Sequence, residues 1–218
     1  NFVEEEYVPA LFKGSRLDEN QKDDVAAKIA SYTGLSKEYV LENNLRISQE
    51  GFCRELLREQ NLMTGRMDGR FTGPIVSGGG EDVSDDPSGF DLNYPLMSAF
   101  HQDLVEELGF RTDAHHVPLS MDINMRWDFG VDIGFLTQQE TVRNCMSASS
   151  MLKVWVLCGY YDGATPFYGA EWAFNRVFLN ESREDNLSFT YYPAGHMFYL
   201  DEESLVQFRQ DAKQWYNS

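Results

Sequence analysis

The 218 residues lack any apolar run near the roughly 20 residues that a membrane-spanning helix needs, so no helical span is expected. The opening stretch, Asn1 to Pro9, has neither the basic start nor the apolar centre of a secretory signal. Export is not decided by that stretch, because the chain opens without a Met and reads as the interior or the end of something longer. Basic residues are scarce. Eighteen Lys and Arg against 35 Asp and Glu leave a formal charge of -17, which repels phosphate backbones and anionic headgroups. Neither nucleic acid nor membrane is therefore expected as a partner. Cysteine is also sparse: Cys53, Cys145 and Cys158 cannot all pair within one chain, and their spacing fits no metal knuckle. They are expected as buried or free thiols, with room for one disulfide. No cofactor or metal is implied.

What is present is apolar material in ordinary amount. With 42% hydrophobic and 14% aromatic residues, the chain can build one ordinary core or two small ones, so it is expected to be globular. From Asp18 to Tyr32, Val25, Ile29 and Tyr32 recur among charges at a helical period, and Gly34 stands where a helix end favours a left-handed residue. Ser48 is placed to cap a second helix through Phe52, Leu56 and Leu57 toward Glu59. A third is expected after Pro95, with Phe100, Leu104, Val105 and Leu108 on one face and Gly109 as its stop. Between the second and third, Gly65 to Tyr94 carries three consecutive glycines, several Asp residues and little periodicity, and reads as loop. Short helices joined by long polar loops suit a lid or cap, although a plain helical domain has the same pattern.

From Leu152 the pattern changes to strand, turn, helix, strand, turn, helix. Val154-Trp155-Val156-Leu157 is a compact apolar run of the kind buried on both faces of a parallel sheet. A helical stretch from Phe167 to Phe178 follows, then a strand over Leu187 to Tyr192, and a last helix capped by Asp201 with Leu205, Phe208, Ala212 and Trp215 as its stripe. Parallel strands joined through a helix form a βαβ unit, which puts both strand C-termini on one edge. The fold class expected is α/β, with a mostly helical cap over residues 1–125 and a strand-bearing core over 126–218.

In open α/β sheets the ligand crevice lies beyond the carboxyl ends of the strands. Asp162 and His196 each follow such an end. A hydrolytic triad needs a carboxylate to hold an imidazole in one tautomer and an imidazole to carry a nucleophile's proton. Acid before His, each after its own strand, is the order found in α/β-hydrolases. Each residue has a plainer reading as well. Asp162-Gly163 after a strand is commonly only a turn, and His196 between Gly195 and Met197 has the setting of a hydrogen-bonded core histidine.

Gly159-Tyr160-Tyr161-Asp162-Gly163-Ala164-Thr165-Pro166 has the form G-x-x-D-x-x-x-P, and Gly195-His196-Met197 follows the last strand. Together they resemble the end of the serine carboxypeptidase family, most closely its bacterial branch. Tyr32 to Ser36 and Gly65 to Pro74 look like that branch's inserted cap, and Asn124 to Gly130 looks like its return to the core. The resemblance implies a serine-type carboxypeptidase that releases C-terminal amino acids, generally with an acidic optimum. It also implies Asp162 as triad acid, His196 as general base, and Met197 and Tyr160 as substrate-binding residues. By the same resemblance the parent would be exported. Phe198-Tyr199-Leu200 departs from the Pro that many relatives carry shortly after G-H-M.

No G-x-S-x-G nucleophile elbow occurs in these residues. The family's serine, its oxyanion-hole glycines and the Asn and Glu that recognise the substrate carboxylate belong to a segment ahead of the cap, and that segment is not in this chain. Cys158 ends an apolar strand and reads as a structural thiol rather than a replacement nucleophile. His115-His116 reads as loop, since adjacent side chains diverge and no third ligand is spaced for a metal. Arg66, Asp68 and Arg70 either touch substrate or organise a polar loop. Without its nucleophile a triad loses the covalent route, so the chain alone is expected to be inactive. A sheet reduced to its last strands exposes an edge, which predicts self-association or a partner supplying the missing half. A different class, a non-catalytic binding module derived from a hydrolase, accounts for the same residues. So does, more weakly, a complete hydrolase using water or a thiol.

Overall fold

Local capping chemistry sets most helix starts. In the computed structural model, which describes residues 2–75, 86–114, 117, 120–128, 130 and 138–217, Asp18 accepts from the Gln21 N–H, Ser36 from Tyr39, Ser48 from Gly51 and Asp201 from Ser204. Each side-chain oxygen satisfies one of the donors that a helix N-terminus leaves without an intrahelical partner. The helices run α1 Val8–Lys13, α2 Glu19–Thr33, α3 Lys37–Glu42, α4 Gln49–Glu55, α5 Pro87–Gln102, α6 Met121–Arg126, α7 Gln139–Ala148, α8 Phe167–Phe174, α9 Glu181–Glu184 and α10 Glu202–Tyr216. The strands are β1 Leu62–Thr64, β2 Thr72–Pro74, β3 Val154–Gly159 and β4 Leu187–Tyr192. The fold mixes helix and strand, as an α/β reading requires in general terms. The chain separates into two compact units, Asn1–Phe90 and Asp91–Ser218. That boundary separates bodies of mutual contact, whereas the division at 125/126 marks a change of sequence pattern.

In the first unit, α2 turns Val25, Ala26 and Ile29 inward against Val40, Leu35, Leu45 and Ala10. Burying a Val or Ile contributes about 1.5–3 kcal/mol relative to leaving it exposed. Gly34 ends α2 in the left-handed region at φ 79, where a Cβ would be strained. Tyr32 is exposed, contrary to its place in the expected stripe. It lies in the last turn of α2, where its ring meets that of Phe2 at 5.2 Å. β1 and β2 form an antiparallel pair, with Met63 opposite Gly73.

Among the described residues, the loop expected over Gly65 to Tyr94 holds two regular elements: β2, and the start of α5 at Pro87. Proline suits a first helical position because its missing N–H would have no partner there. The helix expected after Pro95 thus begins eight residues earlier, with Pro95 inside it. The three glycines at 78–80 lie outside the described residues. After α5 the chain passes through a wider turn, Asp103–Glu107, and Gly109 has φ +64. The second helix is also shorter than expected: α4 stops at Glu55, and Arg58–Gln60 is a separate 3-10 turn.

In the second unit β3 and β4 pair in parallel, Val154 against Leu187 through Gly159 against Tyr192. Alternation sorts the side chains of β4. Phe189 and Tyr191 meet α8 residues, Phe174 edge-on at 5.6 Å and Phe167 at 5.9 Å. On the opposite side Trp155 stacks on Trp215 of α10 at 5.5 Å and donates from its indole N–H to Thr190 at 2.9 Å. Tyr192 stacks on Phe198 at 4.4 Å. Helices therefore lie on both sheet faces, yet Val154 to Leu157 are only half-buried, short of the two-face burial their composition suggested. Among the described residues neither strand has a second strand neighbour. The helix after Asp162 ends at Phe174 rather than Phe178, whose φ of 53 is left-handed. In α10 the inward row is Ser204, Phe208, Ala212 and Trp215, with Leu205 exposed.

Candidate active site

The two loops that leave β3 and β4 are zipped together past the ends of the strands. The Tyr160 N–H donates to Tyr192 O and the Tyr161 N–H to Ala194 O, each at 3.0 Å. This continuation requires Gly159. A Cβ there would stand 2.2 Å from the Gly195 carbonyl oxygen and 2.5 Å from that of Ala194.

Beyond this closure Asp162 turns its carboxylate back under its own loop. The N–H groups of Ala164 and Thr165 both donate to Oδ1 at 2.8 Å. Thr165 Oγ1 donates to Oδ2 at 2.6 Å. The same Oδ2 lies 2.9 Å from His196 Nδ1. A buried polar group needs such partners, since burial without them is costly. The Asp162 side chain is 6% exposed and that of His196 38%, so the pair joins a shielded acid to an imidazole that reaches solvent. His196 Nε2 makes no hydrogen bond to any described residue.

The surroundings are aromatic. Tyr160 stacks on Tyr191 at 5.6 Å and meets Phe167 edge-on at 5.5 Å, leaving about half of its own surface open. Met197, the next residue after His196, is half-buried. Tyr191 donates to Glu171 Oε1 at 2.6 Å, and burial followed by this carboxylate pushes its hydroxyl pKa well up.

Cys158 is 6% exposed, and burial, with the charges of Glu171 and Asp162, pushes its thiol pKa up. A protonated thiol is a poor nucleophile. Cys53 and Cys158 are buried and Cys145 is exposed; all three are free, so the room left for a disulfide is not used.

Comparison of the chain with known protein families, with curated proteins and with solved structures finds no match. The reading of the site therefore rests on its own geometry.

Other candidates fall elsewhere. In the first unit Asp68, itself buried, accepts from the Arg70 guanidinium at 2.7 and 3.0 Å and from the Arg70 N–H at 2.9 Å. That is the work of a residue organising its own turn. The Arg66 N–H donates to Asp86 Oδ1 at 3.0 Å. His115 and His116 lie outside the described residues. Thr165 was not singled out by the sequence. Its signal was local: a Thr three residues after an Asp in a turn, directly before a Pro, is placed to bond back to the Asp side chain.

Proposed function

We propose that this chain is the C-terminal part of a serine carboxypeptidase-like α/β-hydrolase, contributing the acid and base of a triad whose serine lies on a segment it does not contain. The observation that carries the reading is the 2.9 Å hydrogen-bond contact between His196 Nδ1 and Asp162 Oδ2, formed where two parallel strands end side by side. That is the edge on which open α/β sheets place their ligands.

The chemistry runs as follows in this reading. His196 Nε2 takes the proton of the serine hydroxyl as the oxygen attacks the last peptide carbonyl, and Asp162 stabilises the imidazolium. The tetrahedral intermediate collapses, the imidazolium gives its proton to the departing amino group, and a C-terminal amino acid leaves. Water then enters by the same proton route, breaks the acyl–serine ester and frees the shortened peptide. Met197 and Tyr160 are assigned to the wall around the leaving residue, since they flank His196 in sequence or project from the adjoining strand end. The strand edges that have no further strand among the described residues are assigned to pairing with the segment that bears the serine, or to self-association in its absence.

Hydrolysis of a carbobenzoxy-blocked Phe-Leu dipeptide tests this, at mildly acidic to neutral pH, by the chain alone and by a protein extended with a G-x-S-x-G half. Activity confined to the extended protein and abolished by His196→Ala is the expected result. Equal activity in both would place a nucleophile within these 218 residues. Activity in neither would favour a non-catalytic binding module.

A further inference from the structure

We propose that Thr165 is a positioning residue that fixes the tautomer of His196, a role that rests on the reading of Asp162 and His196 as acid and base. The three side chains form a closed triangle. Thr165 Oγ1 is 2.6 Å from Asp162 Oδ2 and 3.1 Å from His196 Nδ1, and Nδ1 is 2.9 Å from the same Oδ2.

The protons decide what this triangle permits. An ionised carboxylate only accepts, so the Thr165 hydroxyl must spend its single proton on Asp162. What Thr165 then turns toward the imidazole is a lone pair. Were Nδ1 unprotonated, it would face two oxygens presenting lone pairs at hydrogen-bond distance. A proton on Nδ1 satisfies both at once, and the basic lone pair is left at Nε2, the nitrogen a general base needs free.

Thr165 also sets the direction of the acid. Oδ1 is held by the N–H groups of Ala164 and Thr165, and without the hydroxyl the imidazole it is meant to orient would be the one partner of Oδ2 among the described residues. A β-branched residue keeps the hydroxyl in few rotamers. Serine would supply the same oxygen, whereas valine keeps the shape and removes the oxygen.

The test reads the imidazole nitrogens of His196 by NMR in the full chain, at a pH where the ring is neutral, with His196→Gln assigning its signals among the four histidines. The unaltered chain and Thr165→Ser are expected as the Nδ1–H tautomer. Thr165→Val is expected to raise the ratio of Nε2–H to Nδ1–H about tenfold, the worth of one hydrogen bond. If Thr165→Val does not fold, Thr165→Ala carries the same expectation.

A neutral His196 found as Nε2–H in the unaltered chain overturns the proposal, without any variant. So does a Thr165→Val chain that melts earlier yet keeps the tautomer, since Thr165 would then be a turn residue only. A tautomer shift combined with no hydrolysis by the extended protein supports the role of Thr165 while defeating the peptidase reading. Full hydrolysis by an extended Thr165→Val protein with an unshifted tautomer does the reverse.

Discussion

Gly159 and Gly195 meet with no room for a side chain between them: a Cβ on Gly159 would lie 2.2 Å from the Gly195 carbonyl oxygen. This approach lets the loop after β3 and the loop after β4 close on each other, and it brings Asp162 and His196 within hydrogen-bond reach. Gly159→Ala must move backbone, since the obstructing atoms are carbonyl oxygens. The expected loss is about 3 kcal/mol in denaturant unfolding. The downfield Nδ1 proton of His196 should disappear from the NMR spectrum as the loops part. Retention of both stability and that signal would show that the strand ends are less tightly closed than described.

The cysteines should separate by reactivity. Cys53 and Cys158 are buried and burial pushes both thiols above the ordinary 9.0, whereas Cys145 is exposed. Alkylation of the native chain near neutral pH, followed by mass spectrometry, is expected at Cys145 first. Cys53 and Cys158 should lag by at least about tenfold and react fully only after unfolding. Rapid native labelling of Cys158 would reopen the question of a thiol nucleophile.

Alkaline stability should depend on β4. Burial, and then the carboxylates of Glu171 and Asp211, push the hydroxyls of Tyr191 and Tyr192 above the ordinary 10.0. The neutral phenol is favoured in the folded state, so this contribution is whole below 10.0 and is lost as pH rises above it toward the raised folded values. Unfolding free energies measured across that range should fall. The slope should flatten in the doubly substituted Tyr191→Phe, Tyr192→Phe chain. At neutral pH, Tyr192→Phe should cost about 1–2 kcal/mol, because it removes the bond of a buried hydroxyl to Asp211.

In the first unit, Asp68 and Arg70 are expected to behave unequally. Asp68→Ala removes the acceptor of both the Arg70 N–H and its guanidinium and should cost about 2 kcal/mol. Arg70→Ala leaves the backbone bond in place, and its side chain is 41% exposed, so the lost ion pair should cost less than about 1 kcal/mol. Urea unfolding of the two variants makes the comparison. A larger effect from Arg70 would mean that its packing outweighs its charge.

The sequence by itself determined what short-range forces decide. Ser48 and Asp201 cap the helices they were expected to cap, Gly34 is left-handed, and Leu187–Tyr192 is a strand, because each depends on a few neighbouring residues. Pro87 opening a helix was hidden by an aperiodic stretch, and in α10 Ser204 stands inward in place of the expected Leu205, beside Phe208, Ala212 and Trp215 as expected, because the packing of Phe208 on Trp155 and Tyr192, not composition, sets the row. Asp162 and His196 were legible as residues of the right kind after two strand ends. That they touch was decided only by tertiary structure. Their bond spans 34 positions and exists because parallel pairing sets Gly159 against Tyr192 and a missing side chain lets the loops close. Thr165 belongs to the same category: its hydroxyl has a tertiary task only once His196 arrives beside it, and no local pattern carries that information.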